Sequence, residues 1–263
     1  MRRFALDAGR LGRQKHIVHG LLEMDVTELR RYIRKHKART GESLSFTAFV
    51  ITCLAKAVDM NKEVQAQRNW RNQLIIFDDV DVNTMIEVEL GGRQVPMPHI
   101  IKAANRKTFW EINEEIRATQ AKPASSAESN FMRWFLLFPW PIRRLFYWVV
   151  MRNPRMLREY TSSVMVTAVG MFGKGGGWGI PVPNFALTVT LGGIAEKPGV
   201  VEGQIKVREY LDVTLSFDHD IVAGAPAARF TQQFRELVES GYGLSQVGKG
   251  QGEQQAKKEK TDE

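Results

Sequence analysis

An α/β (α+β) domain on one large mixed β-sheet flanked by helices is predicted from three observations. One segment alternates buried-type and polar residues with period two, three further strand-like runs crowd the second half, and amphipathic helical stretches lie before and between them. A chain of 263 residues with 43% hydrophobic content can bury a sizeable core in one domain. The expected organisation is a single domain over residues 1–247 with an aromatic and basic insertion at about 123–160, followed by a disordered tail over 248–263.

Taken in order, Asp25 and Glu28 have the N-cap and N3 spacing of a capping box. Leu29, Tyr32, Ile33 and His36 share one face of the helix that follows, and Gly41 is its stop. A second, buried helix is expected after Ser45, because Phe46, Phe49, Val50, Cys53, Leu54, Ala57 and Val58 recur at helical spacing, with Asn61 near its end. From Val80 to Leu90 the even positions (Val80, Val82, Thr84, Ile86, Val88, Leu90) suit a buried face, whereas Asp81, Asn83, Glu87 and Glu89 occupy the odd, solvent-side ones. Gly91 and Gly92 close that strand. Thr108 and Glu111 form another capping-box pair, ahead of a helix striped by Phe109, Ile112 and Ile116, and residues 123–129 read as a loop. Strand signals return at 162–173, 184–195 and 204–219, with Glu202-Gly203 as the hairpin turn. A last helix is predicted from about Pro226 to Ser240, with Phe230, Phe234, Leu237 and Val238 inward and Gly241 as stop.

The formal charge of +8 is local. Residues 1–40 carry eleven basic and four acidic side chains, residues 131–160 carry six and one, and the remainder sums to −4. Charge placed this way argues against a nucleic-acid groove. A single cysteine, Cys53, makes no intramolecular disulfide, and the N-terminal segment lacks the apolar run of a secretory signal, so a cytoplasmic location is expected. His16 and His19 are spaced i, i+3 but lack a third ligand, so no metal site is expected. The glycine run at 173–179 lacks the Gly-Lys-Ser/Thr of a phosphate cradle and reads as a flexible loop between strands.

Residues 131–150, "FMRWFLLFPWPIRRLFYWVV", hold eight of the chain's 25 aromatic residues. The longest uncharged run, Trp134 to Ile142, is nine residues with two prolines, well short of the roughly twenty needed to span a bilayer. Packing on the body or against another subunit is the expectation. Peripheral membrane contact, with Arg133, Arg143, Arg144 and Arg152 toward headgroups, is the alternative.

The most suggestive chemistry lies at 216–230, "SFDHDIVAGAPAARF", where His219 ends a long alternating strand just before a turn into a helix. A histidine so placed can act as a general base near neutral pH, and pattern alone fits a structural histidine equally well. This segment resembles the Asp-His-Arg-x-x-Asp-Gly-Ala signature of the dihydrolipoyl acyltransferases of 2-oxo acid dehydrogenase complexes, which share a fold with chloramphenicol acetyltransferase. The chain reads Asp218, His219, Asp220, Ile221, Val222, Ala223, Gly224, Ala225. Two further blocks are similar in the same order. "GGRQVPMPHIIKAANRKTFWEI" (91–112) resembles the family's Gly-Leu-x-Val-Pro-Val stretch and the Arg-Lys helix after it, and "VMVTAVGMFG" (164–173) its Thr-Ile-Ser-Asn-Leu-Gly-Met-Phe-Gly stretch.

The resemblance implies a chloramphenicol acetyltransferase-like fold and acyl transfer between coenzyme A, as substrate, and a thiol acceptor. It implies His219 as the base that deprotonates the thiol and Thr167 as the hydroxyl that stabilises the tetrahedral oxyanion; from pattern alone Thr167 is an ordinary strand threonine. It further implies a homotrimer or a higher assembly of trimers, with His219 of one subunit facing Thr167 of the next, and a lipoyl-bearing protein as partner. Lipoyl and subunit-binding modules are absent from the sequence, so a stand-alone catalytic domain with no lipoyl group of its own is expected. Ala223 stands where the family has aspartate and Asp220 where it has arginine, beside Gly224. The alternative reading is therefore a catalytically impaired or non-catalytic trimeric core.

Overall fold

The computed structural model describes residues 15–90, 93–121, 138–153, 162–169, 175–182 and 184–242, together with 6, 9, 10, 12 and 156. In chain order the elements are β1 (Ile17–Asp25), α1 (Thr27–Thr40), α2 (Phe46–Met60), β2 (Gln67–Arg68), β3 (Leu74–Ile75), β4 (Val82–Leu90), β5 (Arg93–Ile101), α3 (Phe109–Ala121), α4 (Trp140–Arg152), β6 (Val164–Ala168), β7 (Leu187–Val201), β8 (Gln204–Asp218) and α5 (Gly224–Glu239). Short 3-10 turns lie at Lys62–Gln65 and Ala104–Arg106.

Among the described residues, six strands form one sheet in the order β1-β8-β7-β6-β4-β5, and β2 pairs with β3 in a separate small hairpin. β6 runs parallel to both β4 and β7, and the other pairs are antiparallel, which makes the sheet mixed, as predicted. One face is apolar: Val164, Val166, Leu187, Val189, Val213 and Leu215 join Phe49 and Leu54 of α2, Ile112 of α3, and Phe230 and Phe234 of α5 in a single core. Each such fully buried side chain contributes about 1.5–3 kcal/mol. The opposite face carries Thr167, Thr190 and Thr214 at one register level, with Thr188 and Ser216 beside them.

The caps explain where the helices start. Ser45 Oγ accepts from Ala48 N–H, and Thr108 and Glu111 exchange the reciprocal bonds of a capping box. Glu202 and Gly203 both take positive φ, 53° and 75°, which is the geometry that joins the twisted β7 and β8.

Several expectations are corrected. Helix α1 starts at Thr27 rather than near Asp25, because β1 runs through Asp25; Asp25 Oδ1 accepts from Thr27 N–H and Oγ1 instead of closing a box with Glu28. Asp81 is buried rather than solvent-facing, with Lys102 Nζ at 3.1 Å and Ala103 N–H at 2.9 Å on its carboxylate. β1 and β5 are strands that no sequence signal marked. Both are outermost in the sheet, where His19, Gly20, Pro96 and Pro98 are tolerated. Helix α5 begins two residues before Pro226, which sits in a first turn that needs no N–H from it.

The glycine run is a connection between strands, but residues 175–179 are held rather than free. Gly177 N–H donates to the buried Asp212 carboxylate, and Gly193 N–H donates to Gly177 carbonyl at 2.9 Å. A Cβ on Gly193 would lie 2.1 Å from Gly175 carbonyl oxygen. In 131–150, α4 does not bury its apolar side on the body: Ile142, Leu145, Trp148 and Val149 are exposed while Arg143 and Val150 are buried. The predicted loop at 123–129, the Gly91-Gly92 turn and the tail at 248–263 lie outside the described residues.

Candidate active site

The sequence 216–225 folds as the end of β8, a tight turn and the start of α5, and Asp218 builds the turn. Its backbone carbonyl accepts from Ile221 and Val222 N–H at 2.9 and 3.0 Å, and its Oδ1 accepts from Asp220 N–H at 3.2 Å. The Asp218 side chain is itself buried and pairs through Oδ2 with Lys15 Nζ at 2.9 Å. His219 follows directly. Its backbone N–H donates to His16 carbonyl at 2.7 Å, which pins the turn to the lead-in of β1, and its side chain is exposed.

Asp220 draws partners from distant parts of the chain. Oδ1 lies 3.0 Å from His16 Nδ1 and Oδ2 lies 3.4 Å from Arg68 Nη2 in β2. The hydrogen bond with His16 is the main influence holding the Asp220 carboxyl below its ordinary range, aided by Arg68 and the adjacent His219. Ala223 is the N-cap of α5 in extended conformation, φ −74° and ψ 164°, and caps no amide with its side chain. Gly224 opens the helix, and a Cβ there would meet no atom within 4 Å.

Thr167 lies on β6, half-buried, in register with Thr190 of β7 and Thr214 of β8. The Oγ1 atoms of Thr190 and Thr214 are buried and take no hydrogen-bond partner among the described residues. His219 is five residues beyond Thr214 along β8 and two strands from β6. At about 3.3 Å per residue and 4.8 Å per strand, the two backbones are roughly 19 Å apart. One chain therefore brings Lys15, His16, Arg68, Asp218, His219 and Asp220 together and leaves Thr167 far from them.

Lys15 and Arg68 carry no signal in the sequence, and His16 enters there only as a metal-ligand candidate beside His19. Asp218 was noted only as part of the histidine signature, and Arg68 carries no local signal, since its partner is 152 positions away. Among the described residues, no group of three or more His, Cys, Asp or Glu side chains is placed to hold a metal ion.

A mixed sheet with helices on one face and a histidine turn at the end of β8 defines a class that the comparisons identify. The model of the 2-oxoacid dehydrogenases acyltransferase (catalytic domain) family matches residues 13–129 and 157–244, and the chain belongs to that family. It is similar to the lipoamide acyltransferase component of the branched-chain alpha-keto acid dehydrogenase complex of Pseudomonas putida, 37% identical over 223 residues that cover 82% of this chain and 45% of the relative. It is also similar to the dihydrolipoyllysine-residue acetyltransferase component of the pyruvate dehydrogenase complex of Zymomonas mobilis, 26% identical over 88% of this chain and 47% of the relative. The chain thus spans less than half the length of these relatives.

Two solved structures share the fold. A probable dihydrolipoamide acetyltransferase from Listeria monocytogenes superposes with a TM-score of 0.67 at 22% identity, covering 91% of each chain. The dihydrolipoamide acetyltransferase of Azotobacter vinelandii, studied for the role of a serine, a histidine and an asparagine in its catalytic mechanism, superposes with a TM-score of 0.66 at 19% identity, covering 91% of this chain and 88% of that one.

Proposed function

We propose that the protein transfers an acyl group between coenzyme A and a thiol acceptor such as a dihydrolipoyl group, in a site shared by two subunits of a trimer. One spacing carries this reading. The serine and histidine named for the Azotobacter vinelandii enzyme are 52 residues apart, as are Thr167 and His219. The asparagine named there is four residues after the histidine, and Ala223 occupies that place here.

In the mechanism, the exposed imidazole of His219 takes the proton from the attacking thiol as general base. The sulfur adds to the thioester carbonyl, and Thr167 of the adjacent subunit donates its hydroxyl to the oxyanion, an interaction typically worth about 10²–10³ in rate. Collapse expels the other thiolate, which recovers the proton from His219. The roughly 19 Å between the two residues within one chain is the reason a second subunit is invoked.

The test is complementation. His219→Ala and Thr167→Ala chains, each nearly inactive in transfer from acetyl-CoA to dihydrolipoamide, are unfolded together and refolded. In random trimers about one site in four pairs an intact histidine with an intact threonine of its neighbour, so about a quarter of wild-type activity is expected to return. No recovery in a correctly assembled mixture overturns the shared site, and wild-type rates in His219→Ala alone overturn the chemistry.

A further inference from the structure

Helix α4 turns apolar side chains outward. Ile142, Leu145, Trp148 and Val149 are 53, 62, 52 and 42% exposed, whereas Arg143 and Val150 are 6 and 5% exposed. At 100° per residue these outward apolar side chains cover an arc of about 120°, and Arg144 stands at its border. Pro141, Arg144, Leu145 and Trp148 line an open cleft of about 390 Å³ on this side. A helix that packs on its own body places its apolar arc inward, so this arc serves an external surface.

Charge selects the kind of surface. Residues 131–158 contain six arginines and no aspartate or glutamate, so apposing α4 of a second copy would set arginines against arginines. The helix also lies in 130–156, between the two segments that match the family model, so it is not part of the framework common to the family. Among the described residues no helix is long and apolar enough to cross a membrane. With 13 residues α4 is about 20 Å long, below the roughly 30 Å hydrocarbon thickness. Aromatic and aliphatic residues on one arc, with Arg144 at its border and no acidic residue in 131–158, are the composition of a helix that lies in the headgroup plane.

We propose that α4 docks the domain on an anionic lipid surface, with Leu145 and Trp148 entering the acyl boundary and Arg144 meeting lipid phosphates. The full chain is co-sedimented with phosphatidylcholine vesicles and with vesicles that also contain about 30 mol% phosphatidylglycerol. Sedimentation is expected with the anionic vesicles only, weakening as salt rises. Arg144→Gln is expected to lower the partition coefficient about fivefold, and Leu145→Glu with Trp148→Glu more than tenfold, with the thermal midpoint unchanged because both side chains are exposed. Absence of sedimentation with anionic vesicles, or sedimentation that ignores the double substitution, overturns the proposal. If the double substitution instead lowers the oligomeric state in sedimentation velocity without any vesicle binding, α4 is a contact between copies and the proposal fails.

Discussion

Ala223 offers the sharpest test of how the histidine turn is held. It is the N-cap of α5 with extended backbone, and its methyl group leaves the first-turn amides of the helix without a side-chain acceptor. An N-cap aspartate or asparagine would accept from the second or third helical residue, but the third is Pro226, which has no N–H, so only Ala225 N–H can be reached. The gain for Ala223→Asn is therefore placed in the lower half of the usual range, about 0.5–1 kcal/mol. Ala223→Asp adds an interaction with the helix dipole of about 0.3–1 kcal/mol. For a chain of this size these stabilities correspond to increases in Tm of roughly 1–3 °C for Asn and 2–6 °C for Asp. Scanning calorimetry at fixed protein concentration measures both, and acyl transfer from acetyl-CoA to dihydrolipoamide measures the consequence at His219. A tighter turn is expected to raise the rate severalfold without changing the assembly. Midpoints that fall, or stay unchanged for both variants, would refute the claim that this helix start lacks an acceptor.

The glycines separate two kinds of constraint. Gly193→Ala is expected to destabilise the protein by about 3 kcal/mol, since its Cβ would meet the Gly175 carbonyl oxygen at 2.1 Å and backbone on both sides must move; a midpoint in urea within error of wild type would contradict this. Gly224→Ala, facing open space at the first helical position, is expected to be neutral or stabilising by up to about 1 kcal/mol. Acid stability follows from the ties of β8 to the end of β1 and to α1. Burial acts to raise the Asp25 carboxyl from its ordinary value of 3.8, but hydrogen bonds from Arg208 and Thr27 outweigh it and the net displacement is downward. Glu209 is likewise lowered against its burial by Arg34 and Arg30. A lowered folded pKa gives stability that is present above the unfolded value and lost as pH falls through the folded one, so this contribution fades below about pH 4. Arg208→Gln should therefore cost more stability at pH 7 than at pH 3, and a cost independent of pH would exclude the ion pair as its source.

Much of the fold was legible because its signals are local. Ser45 and the Thr108–Glu111 pair announce α2 and α3, the alternation from Val82 to Val88 announces β4, and Glu202-Gly203 fixes the longest hairpin. The strands of the large sheet that escaped notice are β1 and β5, whose pattern is diluted by glycine, histidine and proline because an outer strand satisfies only one neighbour; the two-residue strands β2 and β3 are too short to show a period. Asp81 broke the alternation rule for a related reason: a polar residue at a solvent-type position can be buried when distant groups, here Lys102 and Ala103, satisfy it. At the site, the histidine turn could be read from eight consecutive residues. Lys15 and Arg68 could not, because their partners Asp218 and Asp220 are 203 and 152 positions away. Thr167 was legible only through family resemblance, since a threonine in a buried strand is ordinary.

The departures at Ala223 and Asp220 bear on each other. The turn holding His219 is fixed by Asp218 through two backbone amides, its own Asx bond and Lys15, by the His219 amide on His16, and by Asp220 between His16 and Arg68. None of these bonds uses the side chain at 223. Alanine at the helix cap therefore leaves the start of α5 without a side-chain acceptor while the backbone of His219 keeps its anchors, and the carboxylate at 220 recruits Arg68 from β2 and His16 from the β1 lead-in. Local order at His219 and closure of the site are then separate requirements. The first is met within one chain by side chains from three segments; under the proposed mechanism the second waits on Thr167 of another subunit, because the sheet register keeps the chain's own some 19 Å away.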